Sequence, residues 1–142
     1  MGTQVRDAMT TSVRTATPTQ SLADAAELMK REDVGSVPVV DDGRLIGIVT
    51  DRDIVVRAVA ERRDPQAIRV AEVASRELVT VGPEEDLEEA LRLMAVHQVR
   101  RLPVVEDGRL VGMLAQADVA IEAKDKKVGE MIEEISKPAG GG

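Results

Sequence analysis

The chain has 142 residues, one histidine, no cysteine and no aromatic residue, and its formal net charge at pH 7 is −7. This composition excludes disulfides, thiolate sites and a typical zinc site, and it argues against DNA, RNA and anionic membranes as partners. No apolar run is long enough to cross a membrane and no signal-peptide layout opens the chain, so we expect a soluble, cytoplasmic protein without a metal site.

The first half of the chain predicts five elements in the order strand, helix, strand, strand and helix. They are Val13–Thr15, a helix that begins after the N-cap Ser21, Val37–Val40, Leu45–Val49, and a helix from about Asp51 to Arg62. The pair Asp42-Gly43 is a strong signal for a two-residue hairpin turn. The pair Asp64-Pro65 ends the last helix and begins a linker.

The second half repeats this pattern at an offset of 65 residues. Eighteen of the 54 pairs from Val5/Val70 to Ala58/Ala123 are identical and no gap is needed. The equivalent elements are Leu78–Val81, a helix from the cap Asp86 to about His97, Leu102–Val105, Leu110–Leu114, and a helix from about Gln116 to Lys124. A long ungapped repeat indicates two copies of one supersecondary unit, and two such units that pack together leave paired clefts between them.

The predicted fold class is therefore α+β, with two β-α-β-β-α repeats related by a pseudo-twofold axis and packed sheet to sheet. The predicted boundaries are 5–63 for the first repeat, 70–124 for the second, and 125–142 for a tail with a short helix at Val128–Ile135. Each half alone, near 60 residues, would bury too little surface to be more than marginally stable.

The block VPVVDDGRLIGIVTDRDI and its echo LPVVEDGRLVGMLAQADV resemble cystathionine-β-synthase (CBS) domains, a tandem pair of which is called a Bateman module. The resemblance covers about Val5 to Ala123. It implies a stand-alone regulatory module for energy sensing that binds AMP, ADP, ATP or S-adenosylmethionine, with or without Mg²⁺, in clefts between the repeats. It also implies a homodimer and an effector protein of unknown identity, and no required cofactor.

The segment Gly47–Asp53 carries the sharpest candidate site. Thr50 can donate a hydrogen bond to a phosphate or ribose oxygen, and Asp53 can accept both hydrogens of a ribose diol. In the resembled family, this threonine and aspartate have those roles. Both residues are equally suited to a helix capping box, and the two roles can coexist.

The second copy of this segment keeps the aspartate as Asp118 but has Ala115 in place of Thr50. We therefore expect two unequal clefts, with the Thr50/Asp53 cleft the better one. Asp118 either contacts a ribose or only supports the start of its helix.

Six further residues are candidates for ligand contact. Arg101, and second Arg100, can hold a phosphate with a guanidinium fork, although pairing with nearby acids explains them as well. The backbone of Val37 before Pro38 can face an adenine edge, and Thr15 and Thr17 can line the same slot. Core packing also accounts for Val37.

We expect no enzyme activity, because no nucleophile elbow, phosphate-binding P-loop, histidine dyad or HExxH motif is present. The alternative function is a ligand-free dimerisation or protein-interaction scaffold. For the dimer, the small or apolar helix residues Ala23, Ala26, Val55 and Ala58 are the predicted contact face.

Overall fold

In the computed structural model, which describes residues 2–122, each half contains a short leading helix, a long helix, a β-hairpin and a closing helix. The elements of the first half are α1 (Val5–Ala8), α2 (Leu22–Glu32), β1 (Ser36–Asp41), β2 (Arg44–Thr50) and α3 (Asp51–Ile54), which continues as a π-helix over Val55–Val59. Those of the second half are α4 (Val70–Val73), α5 (Leu87–His97), β3 (Arg101–Glu106), β4 (Arg109–Ala115) and the helical segment 116–122, α6. The predicted tail helix Val128–Ile135 and the predicted end of α6 at Lys124 lie outside the described residues.

Each hairpin turns at an Asp-Gly pair, as predicted. Asp42 and Gly43 have φ values of 52° and 81°, and Asp107 and Gly108 have 53° and 79°. Positive φ at both central residues defines the turn whose twist matches that of paired strands, and glycine adopts it without strain. The strands pair antiparallel, β1 with β2 and β3 with β4, and the same register shift occurs in both hairpins after Val39 and Val104.

The two predicted opening strands, Val13–Thr15 and Leu78–Val81, are not regular strands. Only Ala16 and Val81 form parallel bridges, to Val39 and Val104. Ala16 donates its N–H to the carbonyl of Pro38, and Val81 donates to Pro103. The next ladder bond would need an N–H from those prolines, which have none, so the pairing stops after one residue.

The two long helices are confirmed, with side-chain caps at their N-termini. The Ser21 hydroxyl accepts a hydrogen bond from the Asp24 N–H at 3.1 Å, and the Asp86 carboxylate accepts one from Glu88 at 2.9 Å. The helix predicted from Asp51 to Arg62 ends earlier. It widens after Ile54 into a π-helix that closes with a bond from the Ala60 N–H to the Val55 carbonyl.

The short helices α1 and α4 are exchanged between the halves. Val5 of α1 packs in the core cluster of the second half, together with residues such as Leu87 and Val104. Val70 and Val73 of α4 pack in the cluster of the first half. Backbone bonds hold each exchanged segment, for example from the Leu87 N–H to the Thr3 carbonyl and from Leu22 to Ile68.

Close approach of the exchanged segments requires a glycine in each inner strand. A Cβ added at Gly47 would lie 3.0 Å from the Ser75 carbonyl oxygen, and one at Gly112 would lie 3.0 Å from that of Thr10. Ser75 pairs with Ile48 and Thr10 with Met113 in single antiparallel bridges. The segments that follow α1 and α4 thus run directly over the opposite hairpin.

The α4 segment is fixed by charged side chains as well as by its valines. Glu72 accepts a hydrogen bond from the Arg69 N–H at 2.8 Å and pairs with the Arg63 guanidinium at 3.3 Å. These contacts, the backbone hydrogen bond first, lower the pKa of the Glu72 carboxyl below its ordinary value.

The two hairpins meet at the pseudo-twofold axis and form one four-stranded sheet of order β1-β2-β4-β3. Arg44 pairs with Arg109, and the guanidinium of each lies over the turn glycine of the other hairpin, Gly108 and Gly43. The mixed helix-and-sheet fold class is confirmed. No helix within residues 2–122 combines the length and the apolar character needed to span a membrane.

Candidate functional site

A cavity of about 180 Å³ lies at the seam between the two halves, on the side of Asp118. We call it the seam cavity. The second half contributes Arg101, Met113, Ala115 and Asp118. The first half contributes a largely aliphatic wall and, at its edge, the ion pair of Arg14 and Glu32. The aliphatic and small residues of this wall are Ser12, Val13, Leu28, Val34, Val37 and Pro38.

The backbone that borders this cavity has unpaired polar groups. The parallel ladder ends at Ala16, because Pro38 has no N–H to continue it, and residues 11–15 donate no backbone hydrogen bond to any other described residue. Ser12 and Val13 of this stretch line the cavity. A planar heterocycle that enters the cavity can therefore meet backbone N–H and C=O groups along one edge and aliphatic side chains on its faces.

Asp118 is the acidic group that the second half presents to the seam cavity. Within residues 2–122, its carboxylate takes part in no ion pair and accepts no hydrogen bond. The residue is partly buried. Glu122, four residues later on α6, is also acidic and therefore provides no countercharge for Asp118. Asp118 is thus available to accept hydrogen bonds from a ligand.

Asp53, the equivalent of Asp118, is already engaged. Its carboxylate accepts a hydrogen bond from the Thr50 N–H at 2.9 Å, and the Thr50 hydroxyl accepts one from the Asp53 N–H at 3.0 Å. The Arg57 guanidinium lies 3.9 Å from the same carboxylate, whose side chain is 17% exposed. The capping box that the sequence left open as an alternative is therefore formed in the structure.

An open groove of about 950 Å³ runs across the pseudo-twofold axis beside the seam cavity. We call it the seam groove. It is lined by the loops that precede β1 and β3 and by the starts of α3 and α6, including Thr50, Arg52, Arg100 and Arg101. Cavity and groove share four residues, Val34, Ser36, Arg101 and Ala115, so the two spaces are contiguous.

The structure brings some of the predicted site residues together and separates others. Val37, Pro38, Arg101 and Asp118 line the seam cavity, and Thr50, Arg100 and Arg101 line the seam groove. Three of them, Asp53, Thr15 and Thr17, line neither space. Asp53 is held in the capping box with Thr50, Thr15 lines separate depressions beside α2 and the hairpin ends, and the Thr17 N–H donates to the Gln20 side chain at 2.8 Å within a turn.

The seam cavity lies on the Asp118 side, whereas the sequence favoured the Thr50/Asp53 side. Sequence reasoning also missed Arg52 and Ser36. Arg52 lies within the candidate segment Gly47–Asp53. The signal for Arg52 was its alignment with Ala117 in the second repeat, because an arginine there replaces a small residue. Over the described part of the chain, no group of three or more histidine and acidic residues is placed to hold a metal ion.

The CBS-domain family model matches two segments of the chain, residues 5–59 and 70–125. The chain is 47% identical over 133 residues to the CBS domain-containing protein YhcV of Bacillus subtilis, and the match covers 93% of this chain and 94% of YhcV. Among solved structures, AcuB of Vibrio cholerae superposes with a TM-score of 0.82 at 31% identity, and covers 97% of this chain and 100% of AcuB. The structure of CBSX2 in complex with AMP gives 0.78 at 31% identity, with coverage of 89% and 99%.

Proposed function

This chain belongs to the CBS-domain family, and from that premise we propose that it senses an adenosine nucleotide in the seam cavity and signals its occupancy to an effector protein. Stand-alone proteins of this family are generally regulatory rather than catalytic, and CBSX2 was crystallised with AMP. The observation that carries the proposal is the convergence of Asp118, Arg101 and the aliphatic wall of Val37 and Pro38 on one cavity.

The chemistry of the cavity suits the three parts of a nucleotide. Adenine fits between aliphatic side chains, because the chain has no aromatic residue on which it could stack. The unpaired backbone groups of residues 11–15 can then read its polar edge. The Asp118 carboxylate accepts the hydrogens of the ribose diol, and each such charge-assisted bond contributes about 1.5–3 kcal/mol. Arg101, at the boundary with the groove, pairs with the first phosphate.

The direct test compares ligand-induced stabilisation in three proteins: the unmodified chain, Asp118→Asn and Asp53→Asn. AMP at 100 times its Kd should stabilise the unmodified chain by about 2.7 kcal/mol, because it binds only the folded state. Asp118→Asn should remove most of this stabilisation. Asp53→Asn is the matched control, since it makes the same change at the equivalent position of the other half, and we expect it to retain the AMP response.

The outcome that contradicts the proposal is an unchanged melting temperature with AMP, ADP, ATP and S-adenosylmethionine, each tested with and without Mg²⁺. A response that disappears with Asp53→Asn and survives Asp118→Asn would move the site to the other half. Isothermal titration calorimetry on the same proteins gives the stoichiometry, for which we expect one nucleotide per chain.

We also propose that the chain forms a homodimer through the helical segment 51–59. Val55, Val56 and Val59 are 56%, 47% and 58% exposed there, which is unusual for neighbouring large apolar residues. Of the face predicted from sequence, Val55 is available, but Ala58 is fully buried in its own core, and Ala26 packs against that core. Light scattering should show a dimer for the unmodified chain and a monomer for Val55→Glu combined with Val59→Glu.

The exposed valines also favour the second candidate function, a ligand-free interaction scaffold. In that case the assembly would form normally while no adenosine ligand changed the melting temperature or the mass. Native mass spectrometry of the purified protein separates the two functions, because it reports subunit number and any retained nucleotide in one spectrum.

A further inference from the structure

The leading helices α1 and α4 share a five-residue pattern in which the first, fourth and fifth residues are apolar and the third is acidic. The pattern is Val5-Arg6-Asp7-Ala8-Met9 in α1 and Val70-Ala71-Glu72-Val73-Ala74 in α4. In each helix, the three apolar residues pack against the core of the half in which the helix lies. Residues at this spacing share one face of a helix, so a single narrow apolar face holds each leading helix in place.

The remaining contacts of a leading helix depend on its acidic residue and on its backbone. In α1, the Asp7 carboxylate accepts a hydrogen bond from the Gln4 N–H at 2.9 Å, and the Val5 N–H donates to the Glu85 carbonyl at 2.9 Å. The equivalent bonds hold α4. Any segment that carries the same pattern, without a proline, has the groups that these contacts require.

A third copy of the pattern, Val128-Gly129-Glu130-Met131-Ile132, occurs in the sequence beyond the described residues. Its first, fourth and fifth residues are apolar, its third is acidic, and it contains no proline. Where α1 has the small Ala8, this copy has Met131. The third copy therefore offers at least as much apolar surface as α1 does.

The position of the third copy in the chain indicates which core it would enter. The helix α4 follows the first half in sequence and packs back onto that half. The third copy follows the second half in the same way, and α1 fills the corresponding place there, which we call the leading-helix slot. Val119 of α6 shares this core with Val5, and Val128 follows Val119 by nine residues, which can span up to about 30 Å.

We propose that the segment 128–132 competes with α1 for the leading-helix slot of the second half. When the segment holds the slot, the residues after α1 lose their anchor. Among them, Thr10 pairs with Met113 and lines the seam cavity together with Ser12 and Val13. Occupation of the slot by the tail therefore opposes ligand binding, and by reciprocity a bound ligand opposes the tail. This coupling to the ligand rests on the proposed function, whereas the competition for the slot does not.

The test uses pairs of introduced cysteines, since the chain has none of its own. The Arg6 guanidinium lies 2.9 Å from the Glu84 carboxylate, so the second residue of a helix in the slot lies beside Glu84. These two side chains are 46% and 74% exposed, and cysteine at either position should leave the fold intact. The second residue of the third copy is Gly129.

A short bis-maleimide should link the cysteines of Gly129→Cys combined with Glu84→Cys within one chain. The matched control is Ser136→Cys combined with Glu84→Cys, which places the cysteine in the same tail outside the pattern, and it should react at least about tenfold more slowly. Arg6→Cys combined with Glu84→Cys reports α1 in the slot. Saturating AMP should suppress the Gly129→Cys link and raise the Arg6→Cys link, by up to about twofold for an equally shared slot.

The competition and the proposed function fail differently. Equal rates for Gly129→Cys and Ser136→Cys overturn the competition, whatever AMP does. A Gly129→Cys link that joins only two separate chains also overturns it, because the slot then receives the tail of a second copy. A fast link within one chain supports the competition even where AMP does not bind and the nucleotide site fails. If AMP binds and changes neither link, the coupling to the ligand is wrong.

Discussion

Replacing Val5 with alanine should weaken the second half of the molecule, although Val5 lies at the start of the first half in sequence. Its side chain is fully buried and packs in the core of the second half. Alanine removes two methyl-sized groups, which costs about 1.6 kcal/mol of transfer free energy, and the cavity raises this to roughly 2–3 kcal/mol. For a domain of this length, we expect the melting temperature to fall by about 6–12 °C.

Hydrogen exchange measured by mass spectrometry locates the effect. With Val5→Ala, amide protection should fall first in α5 and in the β3–β4 hairpin, because α1 fills their core. With Val70→Ala, the reciprocal variant, it should fall first in α2 and the β1–β2 hairpin. The two valines are equivalent in the repeat and both 0% exposed, so each variant is the matched control for the other.

The reasoning is refuted if Val5→Ala lowers protection mainly in its own half. The same variant also reports on the ligand site. Thr10 pairs with Met113 and lines the seam cavity just after α1. Loosening α1 should therefore weaken AMP binding more than Val70→Ala does, since α4 leads to the opposite side of the seam.

Three further predictions concern stability. Gly112→Ala should lower the free energy of unfolding in urea by about 1–3 kcal/mol and weaken AMP binding, because its new Cβ would lie 3.0 Å from a backbone oxygen. The control Gly82→Ala, whose nearest contact would lie at 3.8 Å, should lower the free energy of unfolding by less. Equal losses of unfolding free energy in the two variants would contradict this reasoning. Thr50→Ala removes the side-chain cap of α3 and should cost about 1 kcal/mol, against little change for the exposed Thr19→Ala. Because the folded pKa of Glu72 is lowered, Glu72→Gln should reduce the melting temperature at pH 7. The difference in melting temperature between the variant and the unmodified chain should vanish as the pH falls below about 4.5 and through the folded pKa. A difference that persists at low pH would exclude the charge of Glu72 as its cause.

The hairpins and long helices were predictable because their signals are local. An Asp-Gly pair between two apolar runs determines its turn by backbone geometry alone, and Ser21 and Asp86 cap the helices that follow them. The repeat also fixed the order of elements in the second half. The opening strands were predicted wrongly, because the composition of Val13–Thr15 favours a strand while the missing N–H of Pro38 lies more than twenty residues away in sequence.

The exchange of α1 and α4 could not be read from the sequence. A four-residue helix is too short to show helical periodicity, and Val5 or Val70 alone does not indicate which core it enters. The candidate site was predictable residue by residue but not in its grouping. Asp118 and Arg101 carried the expected chemistry, yet their shared cavity with Val37 depends on how the halves pack. Arg52 was overlooked because only its neighbours matched a known pattern.

The reciprocal placement of the leading helices makes each half depend on the other for a complete core. A single half-length chain would lack the valine that completes its interior and could obtain one only from another molecule, at the entropic expense of association. Joining two halves in tandem places the missing segment at a high effective concentration, so an intermolecular equilibrium becomes an intramolecular one. The two copies are then free to diverge, and one can keep a basic residue where the other keeps a small one, without either losing its partner.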